Sequence, residues 1–128
     1  MKKILIVENQ PLVALVLQTY AEEAGCELSG ISESKVALER IRVLRPDLVV
    51  LNLAFDDVGG FLLVQELRRG YHELRNIPVI VICDKPSAIN FLKAKEVQAP
   101  FVKPLCARQL LDKIREILKT PVVQAAAQ

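Results

Sequence analysis

Four short apolar runs in this 128-residue chain each stop abruptly on a polar residue. Ile4–Val7 ends on Glu8-Asn9, Leu48–Leu51 on Asn52, Val79–Ile82 on Cys83-Asp84, and Phe101-Val102 on Lys103-Pro104. Short runs apolar at successive positions fit strands buried on both faces. Helical patterns separate them, and strands alternating with helices through short loops make a doubly wound α/β sheet. Parallel neighbours bring their polar ends together at one carboxyl-end edge, where open α/β sheets build their sites.

The alternation predicts five strands and five helices. After the first strand (β1), Pro11 sits where a helix can begin, and α1 is expected over Leu12 to Ala24 with Gly25 as its C-cap. A short β2 follows at Glu27 to Ile31. Val36, Leu38, Ile41 and Leu44 give helical spacing to α2, expected from Ser34 to Leu44 and closed by Arg45-Pro46, since proline disfavours helix in the residue before it. Asp47 to Leu53 is β3. Gly59-Gly60 reads as a turn, and α3 is expected from Phe61 to Arg69. Asn76-Ile77-Pro78 leads into β4; Lys85-Pro86-Ser87 opens α4, which runs to about Val97. Ala99 to Val102 is β5, and α5 spans Ala107 to Lys119 with Leu110, Leu111, Ile114, Ile117 and Leu118 at core spacing. Residues 1–119 form one domain, and 120–128, with Pro121 and an alanine-rich end, a loose tail.

The composition, 52% apolar and 25% charged, is that of an ordinary folded domain. Net charge is +2 but unevenly divided: residues 1–64 hold 6 basic and 9 acidic side chains, residues 65–128 hold 11 and 6. That asymmetry suggests a mildly basic partner face on the second half and is too weak to indicate nucleic acid. Cys26, Cys83 and Cys106 are odd in number and lack metal-site spacing, which points to a reducing, cytoplasmic setting. No run approaches the roughly 18 apolar residues of a membrane span.

Neither a G-x-G-x-x-G nor a P-loop sequence follows β1, which argues against dinucleotide or P-loop nucleotide binding. Lys3 to Asn9, Pro46 to Asn52, Gly60, Pro78 to Cys83 and Lys103-Pro104 instead resemble the receiver domain of bacterial two-component response regulators. The resemblance covers about residues 2–119 and implies a flavodoxin-like sheet in the order 2-1-3-4-5, with a cis peptide bond before Pro104. It also implies a set of roles. In receivers an acidic pair after β1 and an aspartate ending β3 bind Mg²⁺, and that aspartate accepts a phosphoryl group from a histidine kinase. A Ser or Thr ending β4 and a Lys ending β5 contact the phosphate. An aromatic residue shortly before the Lys moves with the hydroxyl and alters the α4-β5-α5 face.

This sequence departs from that pattern at most chemical positions. The acidic pair is Glu8-Asn9, and the acceptor position is Asn52. A carboxamide nitrogen is conjugated with its carbonyl and is a poor nucleophile, so an acyl phosphate is not expected. The hydroxyl position is Cys83, a weak hydrogen-bonding group, followed by Asp84 where a small residue is usual. Pro100 takes the aromatic position, with Phe101 one residue nearer the lysine and therefore on the opposite strand face unless a bulge intervenes. The interval from Cys83 to Lys103 is short for the family, which implies a trimmed α4. Glu8, Gly60, Lys103 and Pro104 are retained.

With one carboxylate in the pair and an amide at the acceptor, Mg²⁺ binding is expected to be weak or absent, and a network centred on Lys103 and reaching Glu8, Asp84 or Asn52 to replace it. Each residue also has a plainer reading. Lys103 can be a structural ion-pair partner, Asp84 a helix-initiating residue, and Cys83 a buried small hydrophobe. Cys106 can be an indifferent cap, His72 a surface residue, and Asp56 and Asp57 solvated loop acids. The favoured function is a stand-alone pseudo-receiver without enzymatic activity, associating with a histidine kinase, a downstream effector or a second copy through α4-β5-α5. One alternative is a receiver that still engages a kinase or is modified at an atypical site. The other is a flavodoxin-like small-molecule or redox-sensing module using Cys83.

Overall fold

The computed structural model describes residues 1–7, 11–33, 36–53, 58–69, 72–95, 97–102 and 106–119. Five parallel strands, β1 (Lys3–Val7), β2 (Glu27–Ile31), β3 (Leu48–Leu53), β4 (Val79–Cys83) and β5 (Ala99–Val102), form one sheet in the order β2-β1-β3-β4-β5. The helices are α1 (Pro11–Ala24), α2 (Ala37–Leu44), α3 (Val58–Arg69), α4 (Ile89–Ala94) and α5 (Ala107–Leu118). This is the doubly wound, flavodoxin-like arrangement expected from the alternation of patterns.

Alternation along the central strands divides the core into two layers. Leu5, Val49, Leu51, Val79, Val81 and Cys83 pack with Ile41, Leu63, Val64, Leu67 and Leu92 from α2, α3 and α4. Ile4, Ile6, Leu48, Val50, Ile80 and Ile82 pack with Leu17 and Tyr20 of α1 and Leu110, Ile114 and Leu118 of α5. Burying each such aliphatic side chain contributes about 1.5–3 kcal/mol, so strands apolar on both faces are stable only with helices on both sides. The helix ends follow local chemistry. Gly25 closes α1 at φ +72°, and Arg45, held before Pro46, closes α2 at φ 50° with its N–H donating to the Ile41 carbonyl at 2.8 Å.

Two expectations are corrected. Gly59 and Gly60 are not a turn but lie in the first turn of α3. A glycine costs a helix interior about 1 kcal/mol relative to alanine. Here the apolar face of Leu63, Val64 and Leu67 outweighs that cost, and Gly60 is itself buried. The segment after β4 opens as a 3-10 turn, Pro86–Ala88, and α4 proper is only six residues, Ile89–Ala94. The trimmed α4 inferred from the short Cys83–Lys103 interval is therefore present. α2 begins at Ala37; Ser34 and Lys35 lie outside the described residues, as does the tail at 120–128.

At the amino-end edge, reciprocal hydrogen bonds lock the strand starts. The Lys3 N–H donates to Asp47 Oδ2 at 2.7 Å, while the Asp47 N–H donates to the Lys3 carbonyl at 2.8 Å. The Val79 N–H donates to Gln98 Oε1 at 2.7 Å, and the Gln98 N–H returns to the Val79 carbonyl at 2.9 Å. No helix among the described residues is long and apolar enough to cross a membrane.

Candidate functional site

Register places Asn52, Cys83 and Phe101 at the carboxyl-end edge. Asn52 pairs with Ile82, and Ile82 with Phe101, so these three share one cross-strand row. The next row is Leu53, Cys83 and Val102. Successive rows point to opposite faces: Phe101 packs against the α1/α5 layer, whereas Cys83 and Val102 belong to the α2/α3/α4 layer. Pairing of β4 with β5 runs unbroken from Ile80–Ala99 to Cys83–Val102, with no bulge to turn Phe101 over.

Each side chain has a defined environment. Asn52 is half-buried, with its carboxamide oxygen closed to solvent. Cys83 is 2% exposed, and its Sγ lies 3.5 Å from the Phe101 carbonyl and 3.6 Å from the Lys85 carbonyl. A thiol has a single, weak donor, so these contacts direct it along the backbone. Asp84 is exposed just past β4. Pro100 pairs with Val81 on an edge strand, where a residue without an N–H is tolerated and leaves the open edge one donor fewer.

Pro100 and Phe101 line a groove of about 530 Å³ with Gln109, Asp112, Lys113 and Glu116 of α5. Glu8, Asn9, Lys103 and Pro104 lie outside the described residues, as do Asp56, Asp57 and the side chain of His72. The described strands stop at Val7 and Val102, immediately before two of those pairs. Cys106 is exposed, and its φ of −91° and ψ of 109° place it as the N-cap of α5 without a side-chain capping bond. Burial, with the Asp47 charge adding to it, pushes the Cys26 thiol up.

The sequence profile of the response regulator receiver domain matches residues 4–115. The chain belongs to that family. The receiver is 29% identical over 119 residues to the transcriptional regulatory protein BaeR of Escherichia coli O6:H1, covering 91% of this chain and 48% of BaeR. It is 24% identical to the alkaline phosphatase synthesis transcriptional regulatory protein PhoP of Bacillus subtilis, covering 97% of this chain and 51% of PhoP. The chain thus spans about half the length of the curated relatives it matches.

Among solved structures, the signal receiver domain of a signal transduction histidine kinase from Syntrophus aciditrophicus superposes with a TM-score of 0.78 at 25% identity, covering 100% of this chain and 96% of that one. The chemotaxis response regulator CheY4 of Vibrio cholerae gives 0.75 at 20% identity, covering 91% and 98%, a likeness of fold.

Sequence reasoning missed Arg68. Its Nε donates to the Lys95 carbonyl at 2.9 Å, its Nη1 to the carbonyls of Arg75 (3.0 Å) and Ile77 (2.9 Å), and its Nη2 approaches Gln98 Oε1 at 3.4 Å. The clamp ties the end of α3 to the approaches of β4 and β5. Partners 7 to 30 residues away leave no local signal beyond an arginine at the end of a helix.

Proposed function

We propose that this receiver domain signals without phosphate, as a pseudo-receiver that acts by association rather than by phosphoryl transfer. The observation that carries the reading is Asn52 at the acceptor position, half-buried in the row that also holds Phe101. A carboxamide supplies no anionic nucleophile, so the group that would attack a phosphoryl donor is missing. The donor set does not fit Mg²⁺ either. Residues 8, 9 and 52 bring one carboxylate and two neutral amides, with the Asn52 oxygen closed to solvent, to an ion usually held through one or two carboxylates and phosphate.

The switch pair is also uncoupled in this reading. The Cys83 thiol is turned to backbone carbonyls on one face, and Phe101 packs on the other. Movement at Cys83 therefore has no aromatic side chain in its own row to displace. What stands in for the metal–phosphate centre is a polar network around Lys103, drawing on Glu8, Asp84 or Asn52. The partner is a signalling protein, a histidine kinase or a downstream effector, met at the α4-β5-α5 face whose β5–α5 groove is lined by Phe101, Gln109 and Lys113. A second copy on that face would give a homodimer. No catalytic step of the domain's own is involved, and three cysteines outside any disulfide suit a reducing cytoplasm.

Titration with Mg²⁺ to millimolar concentration, read as amide chemical shifts, tests the reading. The expected result is no saturable change at Glu8 or Asn52; a saturable change at both overturns it.

A further inference from the structure

We propose that the amino-end edge of the sheet, opposite the acceptor position, binds a compact polyphosphate. A cavity of about 710 Å³ opens between the ends of α3 and α4 and the turn before β4, lined among others by Arg68, Arg69, Glu73, Arg75, Asn76 and Lys95. Four cations against one carboxylate give this lining a net charge of +3. The carboxylate is shared, since Glu73 Oε1 also lies 3.5 Å from Arg45 Nη2 outside the cavity.

Ordinary helix electrostatics accounts for only part of the excess. The carboxyl ends of α3 and α4 present roughly half a negative charge each, which together offset about one cation. Glu96, the residue after Lys95, adds at most one further negative charge, so the cations remain in excess.

The arrangement is preorganised. Arg68 is anchored through three backbone carbonyls and Gln98, so its guanidinium is a fixed positive floor rather than a mobile arm. Around it, Lys95 Nζ is held 5.6 Å from the Phe91 ring centroid, and Arg69 is exposed and makes no ion pair among the described residues.

The ligand class follows from donor geometry and size. A di- or triphosphate carries several charges in a small volume, and guanidinium forks match phosphate oxygens. A cavity of this volume falls within the roughly 300–1,000 Å³ range of small-molecule sites.

The test uses the full chain, titrated with inorganic pyrophosphate and with ATP by calorimetry and amide chemical shifts, against sodium chloride at matched ionic strength. Saturable binding is expected, with shifts at Arg69, Asn76 and Lys95. Equal affinity for the two ligands means the phosphates alone are read; tighter ATP means the nucleoside adds contacts, and both results support the site.

The R69Q/K95Q double variant is expected to bind at least about tenfold more weakly, while K113Q on α5 binds as the parent. Arg68 is left intact because it anchors the fold, and K95Q alone serves if the double variant melts early. Shifts reproduced by sodium chloride, parental affinity in the Gln variants, or binding of polyglutamate without binding of either phosphate ligand would each overturn the proposal.

Discussion

At the carboxyl-end edge, Asn52 is a neutral amide and Cys83 turns its thiol to backbone carbonyls; at the amino-end edge, Arg68 spreads a guanidinium over four acceptors beside Arg69, Arg75 and Lys95. In an open parallel sheet the first edge is where function is normally built. Among the described residues of this molecule, the dense fixed positive charge lies at the second. The contrast teaches that a fold can keep its architecture while an amide and a thiol stand at the ends of its central strands. Packing of the two apolar layers does not depend on what terminates the strands.

Substitutions can break or sharpen that contrast. Arg68→Ala removes the clamp and strips partners from carbonyls at the end of α4 and in the segment before β4. A loss of about 3 kcal/mol in urea unfolding is expected, and a loss below 1 kcal/mol would show that the clamp is ornamental. Cys83→Ala at the opposite edge deletes one buried sulfur and two long contacts, for a cost of about 1 kcal/mol. Should C83A prove costlier than R68A, the ranking of the two edges would be reversed.

Thiol reactivity gives a subtler comparison. Exposed Cys106 is expected to be alkylated first and buried Cys83 only on unfolding. Cys26 should react slowly at neutral pH, because burial and Asp47 hold its thiol protonated. A raised thiol pKa in the folded state gives a stabilising contribution that is full below the unfolded-state pKa and lost as pH rises through the folded one. Cys26→Ser should therefore flatten the alkaline limb of a stability–pH curve, and an unchanged limb would contradict the assignment. Smallest of all, Glu39→Gln breaks the exposed Arg42–Glu39 pair at 2.9 Å and should change stability by less than about 0.5 kcal/mol.

Much of this was legible in the chain itself. The apolar runs, Gly25 after α1 and Arg45-Pro46 after α2 announce elements through local periodicity and backbone preference, and those forces act over a few residues. Gly59-Gly60 misled because helix propensity is weak beside tertiary burial, and Gly60 is buried in the folded domain. The amide at Asn52 and the offset of Phe101 could be read from residue identity and strand parity. Arg68 could not, since its acceptors are backbone carbonyls up to 27 residues away, which every sequence possesses. The pairing of Lys103 concerns residues outside those described.

The central claim, that signalling here does without phosphate, is tested most directly by incubating the protein with acetyl phosphate and Mg²⁺ and measuring its intact mass. The account predicts an unchanged mass. A stable adduct of about +80 Da, one phosphoryl group, would contradict it.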